Sequence, residues 1–394
     1  MADYLSAAEA ANRLGVSRQT LYAYVSRGLL RAHETSDPRQ RRYASEAVAR
    51  LADERRRGRR PKEVAKATLD WGLPVLESAI TLIQGGRLFY RGVEAVELAK
   101  AATVEEVAAS LWRLPAATAF GPTPPTTPKI MTALAHHYRG TPPDEALLPL
   151  FAAATSDDGS ALWRQDPDRL AEGCGALVRV LLSCVAGAPP GVPPLHRQLA
   201  KAWRLDGKGA DLVRMALVLC ADHELNASSF TARCVASTGA SLRAAVIGGL
   251  AALSGGRHGG MTSRIETFWR GLDDGNPVVQ LRRRLAAAEA LPGFGHPLYP
   301  EGDVRAAVLL AHILPRFPRA RAVVNAVDQL TGQAPNIDFA LVTLRRFLKL
   351  SEGGAFCLFA LGRSVGWIAH ALEQRETGQL IRPRAVYTGP IPEG

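Results

Sequence analysis

The stretch Leu291-Pro-Gly-Phe-Gly-His-Pro-Leu-Tyr299, closed by Asp303-Val-Arg305, is suited to presenting one imidazole. Glycine and proline just ahead of His296 demand a tight turn and exclude a mid-helix position. Such a turn can hold a histidine against a substrate while its backbone N–H groups face an anion. Arg305 could open the next helix and aim a guanidinium at the same place. Taken by itself, the stretch also fits a surface loop with an incidental histidine.

A second imidazole, His258, stands in Leu253-Ser-Gly-Gly-Arg-His-Gly-Gly-Met261, ahead of a segment of helical composition reaching Gly271. A histidine at a helix N-terminus feels the positive end of the dipole, which disfavours imidazolium. The neutral ring can then donate a hydrogen bond to a developing enolate oxygen. A simple glycine hinge is the competing account. Ala334-Pro-Asn-Ile-Asp338 offers a carboxylate, either as a helix N-cap or as a general base.

Three further stretches carry polar groups in apolar surroundings. Asp222, His223, Glu224, Asn226 and Ser228 interrupt an apparently continuous apolar helix between Leu217 and Thr238. Buried polar groups there need either a network or a ligand. Arg363, inside the apolar run Phe359–His370, requires an anionic partner, in the protein or in a ligand. Arg382 and Arg384 lie on an extended segment, Ile381–Gly389, that reads as an anion contact or a solvated tail.

The elements that must position these groups are helical. Beyond the first sixty residues the chain is rich in Ala and Leu with helical periodicity and almost no β-branched alternation, so a large all-helical domain is expected. Thr103-Val-Glu-Glu-Val107 reads as a capped helix start, and Phe89–Ala99 as a short turn followed by a helix. The five cysteines are scattered, show no metal spacing and read as buried thiols of a reducing cytoplasm, so no metal site is expected. No apolar run approaches the ~20 residues of a membrane span, and the N-terminus lacks a signal-peptide core.

Charge is distributed unevenly. Residues 1–62 carry 14 Lys/Arg against 7 Asp/Glu, a balance of +7, whereas the whole chain carries +11. That asymmetry points to a small basic module, with nucleic acid as a candidate partner, joined to a nearly neutral body. Ser6-Ala-Ala-Glu9 is a capping-box pattern opening a helix through Leu14, and after the Gly15-Val16 turn Ser17 caps a second helix, Arg18–Ser26, closed by Gly28. His33–Tyr43 could form a wing carrying Arg39, Arg41 and Arg42 towards phosphates. Arg55–Lys62, a charge run with Gly and Pro, reads as a solvated linker.

The N-terminal segment resembles the MerR/excisionase-type winged helix-turn-helix in Ala11–Tyr22, Arg27-Gly-Leu-Leu30 and Arg41-Arg-Tyr43. The resemblance implies DNA contact through Arg18, Gln19, Tyr22, Arg41 and Arg42; a docking or dimerising module is the alternative. The expected layout is a helix-turn-helix domain at 1–55, a basic linker at 56–66 and a main domain at 67–394.

The order DHELN–SSF, HGG, PGFGHPLY–DxRA, PNxD, GRSVGWIAH, RPRxxYTG along the body closely resembles the citrate synthase family, from about Phe89 to Gly389. That resemblance implies an all-α fold with a large subdomain (about 67–260 and 346–394) and a small one (about 261–345), in a homodimer whose domains close on the substrate. It implies condensation of acetyl-CoA with oxaloacetate, with Asp338 as base, His258 as donor to the enolate oxygen and His296 polarising the 2-oxo carbonyl. By the same resemblance His223, Arg305, Arg363 and Arg382 hold oxaloacetate, Arg382 from the partner subunit, and Gly293, Phe294 and Gly295 meet the CoA adenine. No tightly bound cofactor is implied; the coenzyme A thioester is a substrate.

Three residues depart from the family pattern. Arg257 replaces an apolar residue before His258, Pro297 follows His296 where a basic residue is common, and Ala340 stands where a tyrosine often follows the acid. These bear on the choice of acyl group. Two other readings remain open at this point: a 2-methylcitrate synthase using propionyl-CoA, and a DNA-binding regulator whose body senses metabolites.

Overall fold

Short polar side chains mark where the helices begin. The computed structural model describes residues 4–14, 16, 18–26, 30, 32–34, 41–58, 76–154, 166–272, 275–385 and 387–390. They fall into two compact units, Met1–Glu77 with Arg384–Gly394, and Ser78–Pro383.

In the first unit the Ser6 N–H donates to Glu9 Oε2 at 2.8 Å and the Glu9 N–H donates to Ser6 Oγ at 3.3 Å, the reciprocal cap expected ahead of the Ala7–Leu14 helix. The Arg18–Ser26 helix follows. Strands β1 (Tyr4–Ser6), β2 (His33–Glu34) and β3 (Arg41–Ala44) form an antiparallel sheet in the order β1-β3-β2, with Leu5 opposite Tyr43 and His33 opposite Arg42. Strand β1 has no sequence signature, because three residues are too few to display a two-residue alternation. The Ser45–Gly58 helix packs Val48, Leu51 and Ala52 into a core with Ala10, Leu14, Leu21, Leu30 and Tyr43. That helix runs four residues into the basic stretch expected to be linker, Arg55–Gly58. Gly15, Ser17, Gly28 and Arg39, and the rest of the expected linker, lie outside the described residues.

The second unit is all-α apart from one small sheet. Strands β4 (Thr81–Gln84), β5 (Arg87–Tyr90) and β6 (Val93–Glu94) pair antiparallel in sequence order, so Phe89 and Tyr90 belong to a strand rather than a turn, and the helix begins only at Ala95. Gly85 and Gly86, at φ +58° and +71°, make the two-residue turn between β4 and β5. Thr103 caps the Val104–Trp112 helix in a complete capping box with Glu106, as its spacing indicates.

The Gly354–Thr377 helix is the spine of this unit, buried from Gly354 to Ala371 and packed by the Gly207–Cys220, Ala227–Ser237 and Leu242–Leu253 helices. It is the one helix among the described residues long and apolar enough to cross a membrane, and its apolar stretch is wholly buried inside the unit. Its glycines are there for contact: a Cβ at Gly362 would stand 2.8 Å from the Leu217 carbonyl oxygen, and one at Gly366 would strike Ala221 and Asp222. The two positions are one turn apart on one face, so the corner after Cys220 can lie directly against the spine.

Candidate active site

That corner carries His223, the first of the candidate substrate-binding residues. Helix Gly207–Cys220 ends, Glu224 takes a left-handed φ of +54°, and Asn226 starts a new helix by accepting from the Ser228 and Ser229 N–H groups at 3.1 Å. The polar cluster is therefore a junction between two helices, not an interruption within one. Asp222 is wholly buried, accepts from Thr81 Oγ1 at 2.6 Å and lies 3.3 Å from His370 Nε2. Burial opposes its ionisation, but His370 and Arg363 outweigh this and hold the carboxyl below its ordinary range. His223 turns the other way, its Nε2 3.0 Å from the Tyr299 hydroxyl and its ring centre 5.2 Å from that of His296. Burial first, then Arg305 and Arg363, push His223 well below the usual imidazole value, so the ring is neutral.

His258 sits in a turn closed by its own N–H on the Gly255 carbonyl at 2.8 Å, three residues before the Met261–Arg270 helix. Its Nε2 is 2.8 Å from Ser228 Oγ, which also accepts from the Trp367 indole N–H at 3.0 Å. That hydroxyl donates to Asn226 Oδ1 at 2.7 Å, which also accepts two backbone N–H groups. Burial, then Arg363, lower His258 to about 3. Arg257 is exposed and is not among these causes.

The third arm is a loop laid along the start of the Ile337–Phe347 helix. Gly293 has φ +88°, and a Cβ there would stand 2.9 Å from Ile265 and Phe339, so glycine is required for both conformation and space. The Gly295 N–H donates to the Ala334 carbonyl at 2.8 Å, and the Asn336 N–H donates to Gly293 at 2.9 Å. The Gly295 amide is therefore committed within the protein rather than open to an anion. Phe294 is buried too, its ring 4.6 Å from Phe339, so the side chain is core and not a ligand contact in this conformation. His296 Nδ1 accepts from the Leu298 N–H at 3.1 Å, which puts the proton of the neutral ring on Nε2. Burial and Arg305 bring it to about 4, against a smaller opposing pull from Asp303.

Asn336, not Asp338, is the N-cap, accepting from the Asp338 and Phe339 N–H groups at 3.1 and 3.3 Å. The carboxylate is thereby released from capping duty. Asp338 Oδ1 is closed off from solvent without a hydrogen-bond partner. Burial, only partly offset by Arg305 and Arg363, pushes Asp338 up to about 7. Arg305 is buried and pairs in a fork with Asp303, Nε to Oδ1 at 2.9 Å and Nη2 to Oδ2 at 2.8 Å. Two of its three nitrogens are thus held by the protein, where the sequence reading gave them to a substrate. Arg363 donates Nε to the Cys220 carbonyl at 2.9 Å and keeps a buried Nη2 without a partner.

His223, His258, His296, Asp338, Arg305 and Arg363 therefore act on one another electrostatically and converge on one place. Arg382 does not join them; it is exposed on the extended segment after Gly378. Asp303, Tyr299, Ser228 and Trp367 are the residues whose parts the sequence reading missed. The Asp-x-Arg spacing at 303–305 was the one available signal for the ion pair. In the first unit Tyr22, Arg41 and Arg42 are exposed, while the side chains of Arg18 and Gln19 are outside what is described.

Comparison with known proteins fits this arrangement. The family profile described as citrate synthase, C-terminal domain, matches residues 68–384, and that of a helix-turn-helix domain matches residues 4–56. A citrate synthase of Haloferax volcanii is 31% identical over 362 residues, covering 81% of this chain and 94% of that one. A 2-methylcitrate synthase of Corynebacterium glutamicum is 33% identical over 184 residues, covering 44% of this chain and 48% of its own. A ternary complex of carboxymethyl coenzyme A and oxaloacetate with the citrate synthase of Thermoplasma acidophilum aligns with a TM-score of 0.68 at 24% identity, covering 82% of this chain and 96% of that one. With the family profile spanning most of its length, behind a helix-turn-helix segment, the chain belongs to the citrate synthase family.

Proposed function

We propose that this protein condenses acetyl-CoA with oxaloacetate to give citrate and CoA, as an acyltransferase that turns an acyl group into an alkyl group. The observation that carries the reading is the union of one high-pKa carboxylate, neutral imidazoles and two buried guanidiniums in a single place. Asp338, at about 7, is a far stronger base at neutral pH than an ordinary carboxylate, and its partnerless Oδ1 is free to take a methyl proton. His258 meets the developing enolate oxygen as a neutral hydrogen-bond donor, which suits an oxygen that gains charge only transiently. The enol carbon then attacks the 2-oxo carbon of oxaloacetate while His296 Nε2–H supplies the proton to the new alkoxide. Arg363, through its spare Nη2, and Arg305, through the edge not held by Asp303, take the carboxylates. Water then hydrolyses the citryl thioester and releases CoA.

This reading places the body at 67–394, with a large lobe (67–260 and 346–394) and a small lobe (261–345), in a cytoplasmic homodimer where Arg382 reaches the partner's cleft. Gly293–Gly295 meets the CoA adenine through backbone atoms, with no bound cofactor or metal taking part. A thiol-release assay with oxaloacetate and either acetyl-CoA or propionyl-CoA tests it. Faster turnover with propionyl-CoA would move the assignment to 2-methylcitrate synthase, a reading favoured by the Corynebacterium relative, and no CoA release with either would overturn the enzyme altogether.

The helix-turn-helix match supports a second role, in which residues 1–55 bind DNA and the body senses oxaloacetate or acyl-CoA. Sequence-selective, salt-sensitive gel shifts altered by either metabolite are expected. A chain that shifts no DNA sequence in preference to another would leave the head as a docking module.

A further inference from the structure

Tyr299 is the residue around which the oxo-acid half of the cleft is arranged, and nothing in the reaction above uses it. It is 1% exposed, its ring centre lies 5.1 Å from His296, and the Arg305 guanidinium stands over its face at 5.4 Å. Its hydroxyl is 3.0 Å from His223 Nε2. The Tyr299 backbone is pinned as well, its N–H donating to the His296 carbonyl and its carbonyl accepting from the Gly302 N–H, both at 3.0 Å.

The hydrogen bond between Tyr299 and His223 has a direction. Burial pushes the phenol up to about 12, so it keeps its proton, and His223 is neutral with one proton to place. An imidazole nitrogen is a better acceptor than a phenol oxygen, and a phenol a better donor than a neutral imidazole, so Tyr299 O–H donates to Nε2. The ring's single proton then resides on Nδ1. A neutral histidine is thereby fixed as a donor in a cleft that Arg305 and Arg363 make attractive to carboxylates.

We infer that Tyr299 is a positioning residue that locks His223 in the Nδ1–H tautomer, so that His223 donates to the 2-oxo dicarboxylate. The inference rests on the reading of the cleft as an oxaloacetate site. Without the hydroxyl, His223 can carry its proton on Nε2 instead and turn a lone pair towards an anion.

Tyr299→Phe keeps the ring under Arg305 and removes only the hydroxyl. Oxaloacetate binding, measured by calorimetry on the full chain without acyl-CoA, should weaken roughly tenfold, as for a lost hydrogen bond to a charged group. The KM for acyl-CoA should stay within about twofold. His223→Asn supplies a second variant, because the Asn amide N–H2 occupies the place of Nδ1 and needs no partner to fix it. In that background Tyr299→Phe should have no further effect on oxaloacetate affinity. Unchanged affinity in the single variant, equal weakening of both substrates, or the same loss in the His223→Asn background would each overturn the inference. Failure of the wild-type chain to bind oxaloacetate at all would instead count against the proposed reaction.

Discussion

The two units of this chain deploy arginine in opposite ways. In the first, Arg41 and Arg42 are exposed on β3, in a unit whose small core is built around Leu14, Leu21, Tyr43 and Leu51. In the second, Arg305 and Arg363 are 2% and 1% exposed, one in a fork with Asp303 and the other against a backbone carbonyl. An exposed guanidinium is hydrated, screened by salt and nearly indifferent to which polyanion it meets. A buried one has lost its water already and discriminates by geometry, since only an anion of the right shape restores its hydrogen bonds. The contrast teaches that net charge locates the polyanion candidate, whereas burial locates the small-molecule site.

The largest effect expected within the buried site comes from Asp338→Asn. Loss of the base should lower kcat roughly a thousandfold in the thiol-release assay. The same variant should be more stable than the parent at pH 8. The folded carboxyl titrates near 7 against an ordinary 3.8, so the fold favours the protonated form. Stability is therefore lost as pH rises from about 4 to 7, and the deficit is complete above 7. Asparagine removes the deficit, raising Tm by several degrees at pH 8 and by little at pH 4. Equal Tm values for the two proteins at pH 8 would contradict the perturbed carboxyl. In the parent, kcat/KM should fall about tenfold per unit below pH 7 as the base protonates, with no contribution from His258 or His296, which stay neutral down to about 4.

Next in size is Asp303→Asn. Asp303 neutralises Arg305 and also accepts from the Ile337 N–H at 3.0 Å, so it ties the guanidinium to the residue beside Asp338. Leaving a buried arginine without its counter-ion costs about 3–5 kcal/mol, which thermal or urea unfolding would detect. A loss below about 1 kcal/mol would mean that Arg305 is far better solvated than its burial indicates.

How much of this was legible in the sequence follows the same division. Asp338, His258 and His296 could be named from glycine and proline placement, because a turn that only those residues permit leaves a local mark. Their partners could not. Tyr299 faces His223 across 76 positions of chain, and Trp367 reaches Ser228 across 139, and no local pattern reports such pairings. Pro-Asn-Ile-Asp permits a cap at either polar residue, so the sequence leaves Asp338 open to capping or to base duty; that Asn336 takes the cap depends on where the helix begins. The all-α body was legible from periodicity, whereas β1, β5 and β6, at two to four residues each, were too short to register.

The smallest effect sharpens the comparison from the exposed side. Among the described residues Arg42 makes one long side-chain contact, Nη1 to the Tyr4 carbonyl at 3.4 Å, and Arg41 and Arg42 are both exposed. Replacing both with alanine should change stability by no more than about 0.5 kcal/mol each, since neither fills the core nor leaves a buried group unpaired. If the pair contacts phosphates, the slope of log affinity against log salt for duplex DNA should become shallower by about 2, with little change in sequence preference. Thiol release should be untouched, because these residues are not part of the catalytic cluster. A substantial loss of stability would make the two arginines structural after all, and an unchanged salt slope would remove β3 from any nucleic-acid surface.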